Sequence, residues 1–121
     1  MIFNLKLLRL IHYRFLLVFI FFCNSSMAEN NLIMVTSEHC LYCQIWEKQI
    51  GKIYPKTDIA KNCPLKRLEL DDFLVNKNYN VEKTKITPTF IFFKDNNEIG
   101  RITGYSNPEM FWWQVDEILQ Q

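Results

Sequence analysis

The feature that most constrains the fold is a pair of strand-like runs separated by one amphipathic helix. Leu32–Val35 is short, wholly apolar and bounded by polar residues, which is typical of a buried strand. Apolar residues then recur at helical spacing from Cys43 until Pro55 ends the helix. These residues are Ile45, Trp46, Ile50 and Ile53. Leu65–Leu70 supplies a second strand. Because a helical crossover joins the two strands, we expect them to be parallel.

The second half of the chain predicts a hairpin followed by a closing helix. Thr89–Phe93 reads as a strand, residues 95–97 (DNN) as a tight turn, and Glu98–Thr103 as the returning strand. Asn107 is expected to cap a helix that has Pro108 at its first position. The residues that this helix turns inward are predicted to be Phe111, Trp112, Val115, Ile118 and Leu119.

Two linking segments are harder to interpret. Residues 71–82 begin with two aspartates and are long enough for a short helix, although they are rich in Asn. Residues 56–64 (KTDIAKNCP) have the composition of a loop. Together with the regular elements they predict one α/β domain, residues 29–121, with a mixed four-stranded sheet of βαβ plus ββα. The hairpin extends the sheet antiparallel, and the two long helices are expected to cover its faces.

Residues 1–28 differ from the rest and have the pattern of a signal peptide. Three bases, Lys6, Arg9 and Arg14, precede the continuous apolar run Phe15–Cys23, and Ser26 and Ala28 follow as small residues. We expect cleavage after Ala28 and an exported protein. The apolar run is too short to span roughly 30 Å of hydrocarbon as a helix. The alternative is an uncleaved membrane anchor that also recruits residues 7–11.

The charge of the exported chain excludes one class of function. Loss of three bases with the leader lowers the 14 basic residues to 11 against 13 acidic ones, a formal charge of −2. No basic stripe remains that would neutralise phosphates, so nucleic-acid binding is not expected. We expect a monomer without a bound cofactor.

The cysteines of the exported chain are Cys40, Cys43 and Cys63, an odd number, so at least one cannot pair within the chain. Cys40 falls after the first strand, at the start of the helix. Unpaired amides at a helix N-terminus favour an anion, so the pKa of the Cys40 thiol should be lowered. Cys43, one turn later, should face away from solvent and act as the resolving thiol. A structural disulfide and a metal site remain alternatives.

A second motif strengthens the redox interpretation. Pro88 stands where a predicted central strand begins, and a proline there cannot donate to the sheet. This position predicts a special bend, and the sequence leaves the isomer of the Thr87–Pro88 bond open. If the bend lies beside Cys40, the backbone of Thr87 is free to pair with an extended substrate peptide.

The order of these motifs resembles the thioredoxin superfamily over residues 31–120. The matching pieces are CLYC after a strand, TPTFIFF, EIGRITGY and an amphipathic helix at the end. More narrowly, EHCLYCQIWEKQIGKIYPKT and PLKRLEL are similar to the small periplasmic thioredoxins of bacterial sulfur-oxidation (Sox) systems. The resemblance implies a thioredoxin fold, a nucleophilic Cys40, a resolving Cys43 and a cis Pro88. It also implies periplasmic partner proteins with reducible disulfides and a membrane thiol electron donor.

The chain departs from the superfamily pattern inside and beside the motif. His39 replaces the usual Trp, Leu41 stands where Pro is often found, and Tyr42 is the variable residue. We expect Leu41 and Tyr42 to form the substrate rim and His39 to tune Cys40. The first strand offers no buried acid as a proton acceptor for the second cysteine, and Glu38 is too near the surface end of that strand to replace one.

Other chemistries remain open at this point. His39, Cys40, Cys43 and Cys63 are suitable zinc ligands, which would make the chain a metal-binding or metallochaperone module. A thiol oxidant would run the same exchange chemistry backwards. Cys63 is interpreted as an isolated packing or loop cysteine, and its place before Pro64 in a polar loop leaves reaction or dimerisation as the alternative.

Overall fold

The computed structural model describes residues 6–9 and 29–121. Residues 6–9 form one helical turn. The rest of the predicted signal peptide, including the cleavage site after Ala28, lies outside the described residues. Within the described ranges no helix is both long enough and apolar enough to cross a bilayer.

Four strands and four helices make up the domain described from residue 29 onward. In chain order they are β1 (Asn30–Thr36), α1 (Leu41–Trp46), α2 (Asp58–Asn62), β2 (Leu65–Glu69), α3 (Leu70–Val75), β3 (Thr89–Lys94), β4 (Asn97–Thr103) and α4 (Pro108–Leu119). Helix α1 runs directly into a π-helical turn, Glu47–Gly51, and a 3₁₀ turn follows at Tyr54–Lys56.

The strands form one mixed sheet in the order β2-β1-β3-β4. Strands β1 and β2 are parallel, with Leu32 opposite Leu65. Strand β3 runs antiparallel to β1, and β4 runs antiparallel to β3. This confirms the predicted βαβ plus ββα arrangement, and it places the carboxyl end of β1 beside the start of β3.

One face of the sheet carries the main core. Leu32 and Met34 of β1 point to this face together with Phe90 and Phe92 of β3, because alternate residues of a strand share a face. Both long helices pack here. Their core residues are Trp46 of α1 and Phe111, Val115 and Ile118 of α4. The expectation that the two long helices take opposite faces is therefore wrong.

The opposite face is covered by the short α3 and the chain that follows it. Ile33 and Ile91 pack against Phe73 of α3, with Tyr79 at the margin of this second cluster. Helices thus lie on both faces of the sheet, as predicted. Successive residues of β1 and β3 face the two clusters alternately. The middle of each strand is therefore apolar on both faces of the sheet.

The helix predicted over residues 71–82 is shorter in the structure. It ends at Val75, and residues 76–88 are irregular. The side-chain oxygen of Asn76 accepts a hydrogen bond from the backbone N–H of Asn78 at 2.8 Å. Because such local bonds compete with the helical ladder, the Asn-rich sequence stops the helix here. Lys83 then fastens the segment by donating to the carbonyl of Asn76 at 2.8 Å.

Two further expectations are wrong in the segment between α1 and β2. The predicted loop 56–64 contains α2, whose first turn is capped by Thr57: its hydroxyl accepts a hydrogen bond from the N–H of Ala60 at 3.2 Å. Ile53, predicted to face inward, is 54% exposed. Regular helix has ended at Gly51, and the fully buried Tyr54 takes the place that Ile53 would have filled.

Candidate active site

The turn between β1 and α1 holds the two cysteines of the CxxC motif. Cys40 and Cys43 form a disulfide with their Cα atoms 5.2 Å apart. Cys40 is the N-cap of α1, and its sulfur accepts a hydrogen bond from the backbone N–H of Cys43 at 3.1 Å. A hydrogen bond to the charged form of a group stabilises that form. Once the disulfide is reduced, this geometry favours a thiolate on Cys40.

The disulfide is recessed, and its two residues are not equally covered. Cys40 is 8% exposed and Cys43 is 3% exposed. Cys43 faces the core, as predicted, so Cys40 is the more accessible to a partner. Leu41 and Tyr42 are 62% and 56% exposed beside it. These two side chains form an apolar rim, and His39 is also exposed.

The Thr87–Pro88 bend lies next to the cysteine turn. The hydroxyl oxygens of Ser37 and Thr87 are 3.3 Å apart, and the carbonyl of Ser37 accepts a hydrogen bond from the N–H of Cys40 at 3.2 Å. The Thr87–Pro88 peptide bond is cis. On the far side of the bend, the carbonyl of Pro88 accepts a hydrogen bond from the N–H of Gly104 at 2.8 Å. The structure therefore brings together the two motifs singled out in the sequence.

The backbone of Thr87 is the free part of this bend. The neighbouring Ile86 accepts a hydrogen bond through its carbonyl from the Thr89 hydroxyl at 2.6 Å, and its N–H donates to the Thr84 hydroxyl at 3.1 Å. The backbone N–H and C=O of Thr87 have no hydrogen-bond partner among the described residues. An extended segment of another polypeptide can pair with them beside the Cys40 sulfur.

Cys63 is separate from the cysteine pair and buried rather than open. It is 2% exposed, and its carbonyl accepts a hydrogen bond of 2.6 Å from the Tyr54 hydroxyl. Burial raises the pKa of the Cys63 thiol, which keeps it protonated. The interpretation of Cys63 as a packing cysteine is confirmed, and the alternative of a reactive thiol in a polar loop is wrong.

A four-ligand zinc site needs Cys63 and His39 to join the pair, and the described residues do not assemble it. No group of three or more His, Cys, Asp or Glu side chains in residues 6–9 and 29–121 could hold a metal ion.

The interior beside Cys43 carries no carboxylate. Thr89 is the one buried polar side chain among the residues with assigned burial, and Met34 fills the middle of β1 on this face. Glu38 is exposed. A proton leaving Cys43 must therefore reach solvent or the partner without an internal acid, as the sequence predicted for this strand.

Two residues that the sequence did not single out complete the surroundings of the site. The Tyr105 hydroxyl donates a hydrogen bond of 2.6 Å to the side-chain oxygen of Gln49. Gln49 lies in the π-helical turn after α1, and Tyr105 follows β4 directly after Gly104. The pair is 56 residues apart in sequence and has no local pattern that could have revealed it.

Comparison with known proteins is consistent with this geometry. A family model described as a thioredoxin-like domain matches residues 26–119. The periplasmic thioredoxin SoxS from Paracoccus pantotrophus, solved in its reduced form, is 30% identical and superposes with a TM-score of 0.70. That match covers 76% of this chain and 97% of the SoxS chain. A comparison with curated protein sequences gives no significant match.

More distant thioredoxins share the fold alone. Thioredoxin from Malassezia sympodialis is 16% identical with a TM-score of 0.59, covering 74% of this chain and 76% of its own. Mitochondrial thioredoxin 3 from Saccharomyces cerevisiae, in its oxidised form, is 20% identical with a TM-score of 0.55, covering 74% of this chain and 78% of its own.

Proposed function

Because the chain belongs to the thioredoxin-like family and is a thiol–disulfide oxidoreductase by fold and CxxC pair, we propose that it is exported and reduces disulfides in periplasmic proteins. The observation that carries this proposal is the position of the unpaired Thr87 backbone beside the Cys40 turn, where Ser37 contacts Thr87 through its hydroxyl and Cys40 through its carbonyl. Thiol–disulfide exchange needs the Cys40 sulfur, and recognition of a polypeptide needs the unpaired backbone of Thr87.

The reaction runs through a mixed disulfide. The Cys40 thiolate attacks one sulfur of the partner's disulfide, and the other partner sulfur leaves as a thiolate that takes up a proton. The Cys43 thiol loses its proton and its sulfur attacks the Cys40 sulfur, which releases the second partner thiol. Two electrons and two protons have then passed to the partner, and the Cys40–Cys43 disulfide remains. A membrane dithiol donor would return the two electrons for the next cycle.

Different groups support the two steps of this reaction, which are attack on the partner and resolution of the mixed disulfide. The N–H of Cys43 stabilises the thiolate that attacks, and the exposed Leu41 and Tyr42 offer apolar contacts to the partner segment that enters. Recessing Cys43 leaves Cys40 as the sulfur that the partner meets. This division assigns attack to Cys40 and resolution to Cys43.

The periplasmic location rests on two observations. The first 28 residues have the composition of a cleavable leader, and SoxS, with which the chain shares 30% identity, is described as a periplasmic thioredoxin. Expression of the full chain in a bacterium with a periplasm tests this directly. A mature protein beginning at Glu29 in the periplasmic fraction is the expected result, and a membrane fraction with residues 1–28 retained would favour the anchored alternative.

The decisive experiment on activity traps partners and measures the reduction potential. Cys43→Ser stops the reaction at the mixed disulfide, so disulfide-linked periplasmic partners should accumulate, whereas Cys40→Ser serves as the matched control and should trap none. A potential near −270 mV supports a reductase, while about −120 mV would reverse the direction and make the protein an oxidant. Equal trapping by both variants would refute the assignment of attack to Cys40.

A further inference from the structure

We propose that Gln49 and Tyr105 are a positioning pair that holds the Thr87–Pro88 bend against α1, so that exchange with polypeptides depends on them and exchange with small disulfides does not. This inference rests on the proposed function, since it concerns how the same site receives a protein partner. Neither side chain forms a hydrogen bond with the Cys40 or Cys43 sulfur, so both are positioning residues and not catalytic ones.

The contact between the two residues is well defined. The Tyr105 oxygen lies 2.6 Å from the Gln49 side-chain oxygen, so the phenol donates and the amide carbonyl accepts. Tyr105 is 8% exposed, and its ring meets Phe111 edge-on with centroids 6.3 Å apart. Packing thus fixes the direction of the hydroxyl. Gln49 is an exposed side chain with no other hydrogen-bond partner in the described part of the protein.

The chain beside each residue of the pair connects it to one of the two walls of the site, which are the Thr87–Pro88 bend and helix α1. Gly104, which directly precedes Tyr105, has φ of 81° and donates its N–H to the carbonyl of Pro88 at 2.8 Å. Gln49 follows α1, the helix whose N-cap is Cys40. The bond between Tyr105 and Gln49 therefore connects the Pro88 wall to the cysteine helix.

A second contact between the same two walls is made by Ser37. Ser37 bridges the same two walls on the other side, through its hydroxyl to Thr87 and its carbonyl to the N–H of Cys40. The β1–β3 ladder, in which Val35 lies opposite Thr89, sets the coarse separation between the Thr87–Pro88 bend and the cysteine turn. Two side-chain contacts, Gln49–Tyr105 and Ser37–Thr87, add to it, and loss of the first leaves only the longer Ser37–Thr87 contact of 3.3 Å between these side chains.

The two kinds of substrate use this separation differently. A small aromatic disulfide needs only the Cys40 sulfur. A polypeptide must place its own sulfur at Cys40 while its backbone pairs with Thr87, and misplacing either group lowers the rate. A positioning role thus predicts a selective effect on polypeptides, whereas a merely structural role predicts equal effects on both substrates or none.

The experiment compares insulin with 5,5′-dithiobis(2-nitrobenzoate) as oxidants of the reduced full-length protein. Tyr105→Phe keeps the ring and removes the donor. Its second-order rate constant with insulin should fall about fivefold, the equivalent of one hydrogen bond in water, while the constant for the small disulfide stays within about twofold. Gln49→Leu should give the same split, and Gln49→Glu, which retains an acceptor, should restore the insulin rate. Combining Tyr105→Phe with Gln49→Leu should cost no more than either change alone.

Matched controls and contrary outcomes make the test decisive. Tyr79→Phe and Gln114→Leu change the same residue types away from the site and should leave both rates unaltered, because neither side chain forms a hydrogen bond within the described residues. If Tyr105→Phe does not fold, Gln49→Leu alters an exposed side chain and carries the test. Equal loss on both substrates, no loss on insulin, or additive losses in the double variant would overturn the positioning role. Wild-type protein that is inert toward both disulfides would overturn the proposed function itself, and activity on the small disulfide alone would overturn the polypeptide site and the pair with it.

Discussion

The buried hydrogen bond between Tyr54 and Cys63 offers a quantitative test of what holds the main core together. Tyr54→Phe removes one hydroxyl and keeps the aromatic ring. That ring is fully buried and stacks on Trp112 with centroids 6.1 Å apart and planes 4° from parallel. The substitution therefore opens no large cavity, and its cost comes from the carbonyl of Cys63.

The magnitude follows from where that carbonyl lies. The hydroxyl donates to it at 2.6 Å, and no other described group donates to it. An acceptor left unpaired in the interior costs about 1–3 kcal/mol, because it has lost its partner without regaining water. We expect Tyr54→Phe to lower the free energy of unfolding by about 2 kcal/mol. For a domain of this size the melting temperature should fall by roughly 10 °C.

Urea unfolding followed by tryptophan fluorescence measures this free energy. Tyr42→Phe is the matched control, because the Tyr42 side chain is 56% exposed and has no hydrogen bond within the described residues. Its free energy of unfolding should stay within about 0.5 kcal/mol of the wild type. A Tyr54→Phe variant as stable as Tyr42→Phe would show that the carbonyl of Cys63 is not shielded from water, and the reasoning would fail.

Two further perturbations test the same core and the site. Burial raises the pKa values of Cys63 and Tyr54, so the folded state holds these protons more tightly than the unfolded state. Their stabilising effect is complete below the unfolded pKa values and is lost as pH rises through the folded ones. Stability should therefore start to fall above about pH 8.5, the ordinary pKa of a thiol. In Cys63→Ala, the free energy of unfolding from urea titrations should fall less steeply over the first part of this pH range than in the wild type. Parallel pH profiles for the two proteins would contradict this prediction. Gly104→Ala should cost about 1–2 kcal/mol of unfolding free energy, because φ at this residue is 81° although nothing lies within 4 Å of an added Cβ. An unchanged urea midpoint would show that the turn relaxes freely.

The sheet and the closing helix could be predicted because their signals are local and strong. The apolar run of β3 is buried on both faces, and only a central strand with a core on each side requires such a sequence. Asn107 and Pro108 fixed the start of α4 through capping chemistry, and the Asn107 side chain indeed accepts a hydrogen bond from the N–H of Met110 at 2.8 Å.

The predictions failed where tertiary contacts override composition. Residues 56–64 look like a loop, yet Thr57 caps a short helix and the segment packs Cys63 into the core. The side of the sheet on which each long helix packs was not encoded in its periodicity, since an amphipathic helix fits either face. The tertiary contacts, such as that of Trp46 with Phe111 at 5.7 Å between ring centroids, show that α1 and α4 share one face.

The two motifs of the site meet because of topology, which the sequence left conditional since it did not identify the strand next to β1. A strand that enters a helix and an antiparallel neighbour that begins beside it must bring Cys40 and Thr87 to the same edge of the sheet. The Gln49–Tyr105 contact was not predictable in this way, because polar residues outside a motif carry no signal about their partners. Its position depends on the exact course of the chain after α1.

That course is set by the π-helical turn, and the same turn explains the failed prediction for Ile53. A π turn holds one more residue than an α turn, so Ile50 within the turn is still buried, whereas Ile53 beyond it leaves the register that the apolar spacing implies. Gln49 lies within this turn. Gly51 permits its tight packing, since a Cβ there would meet the Glu47 carboxylate oxygen at 2.2 Å. That carboxylate instead receives two hydrogen bonds from Arg67 of β2, at 2.5 and 2.8 Å, which tie the turn to the sheet. The π-helical turn, where the helical periodicity breaks down, therefore carries the Gln49 side chain that accepts the hydrogen bond from Tyr105.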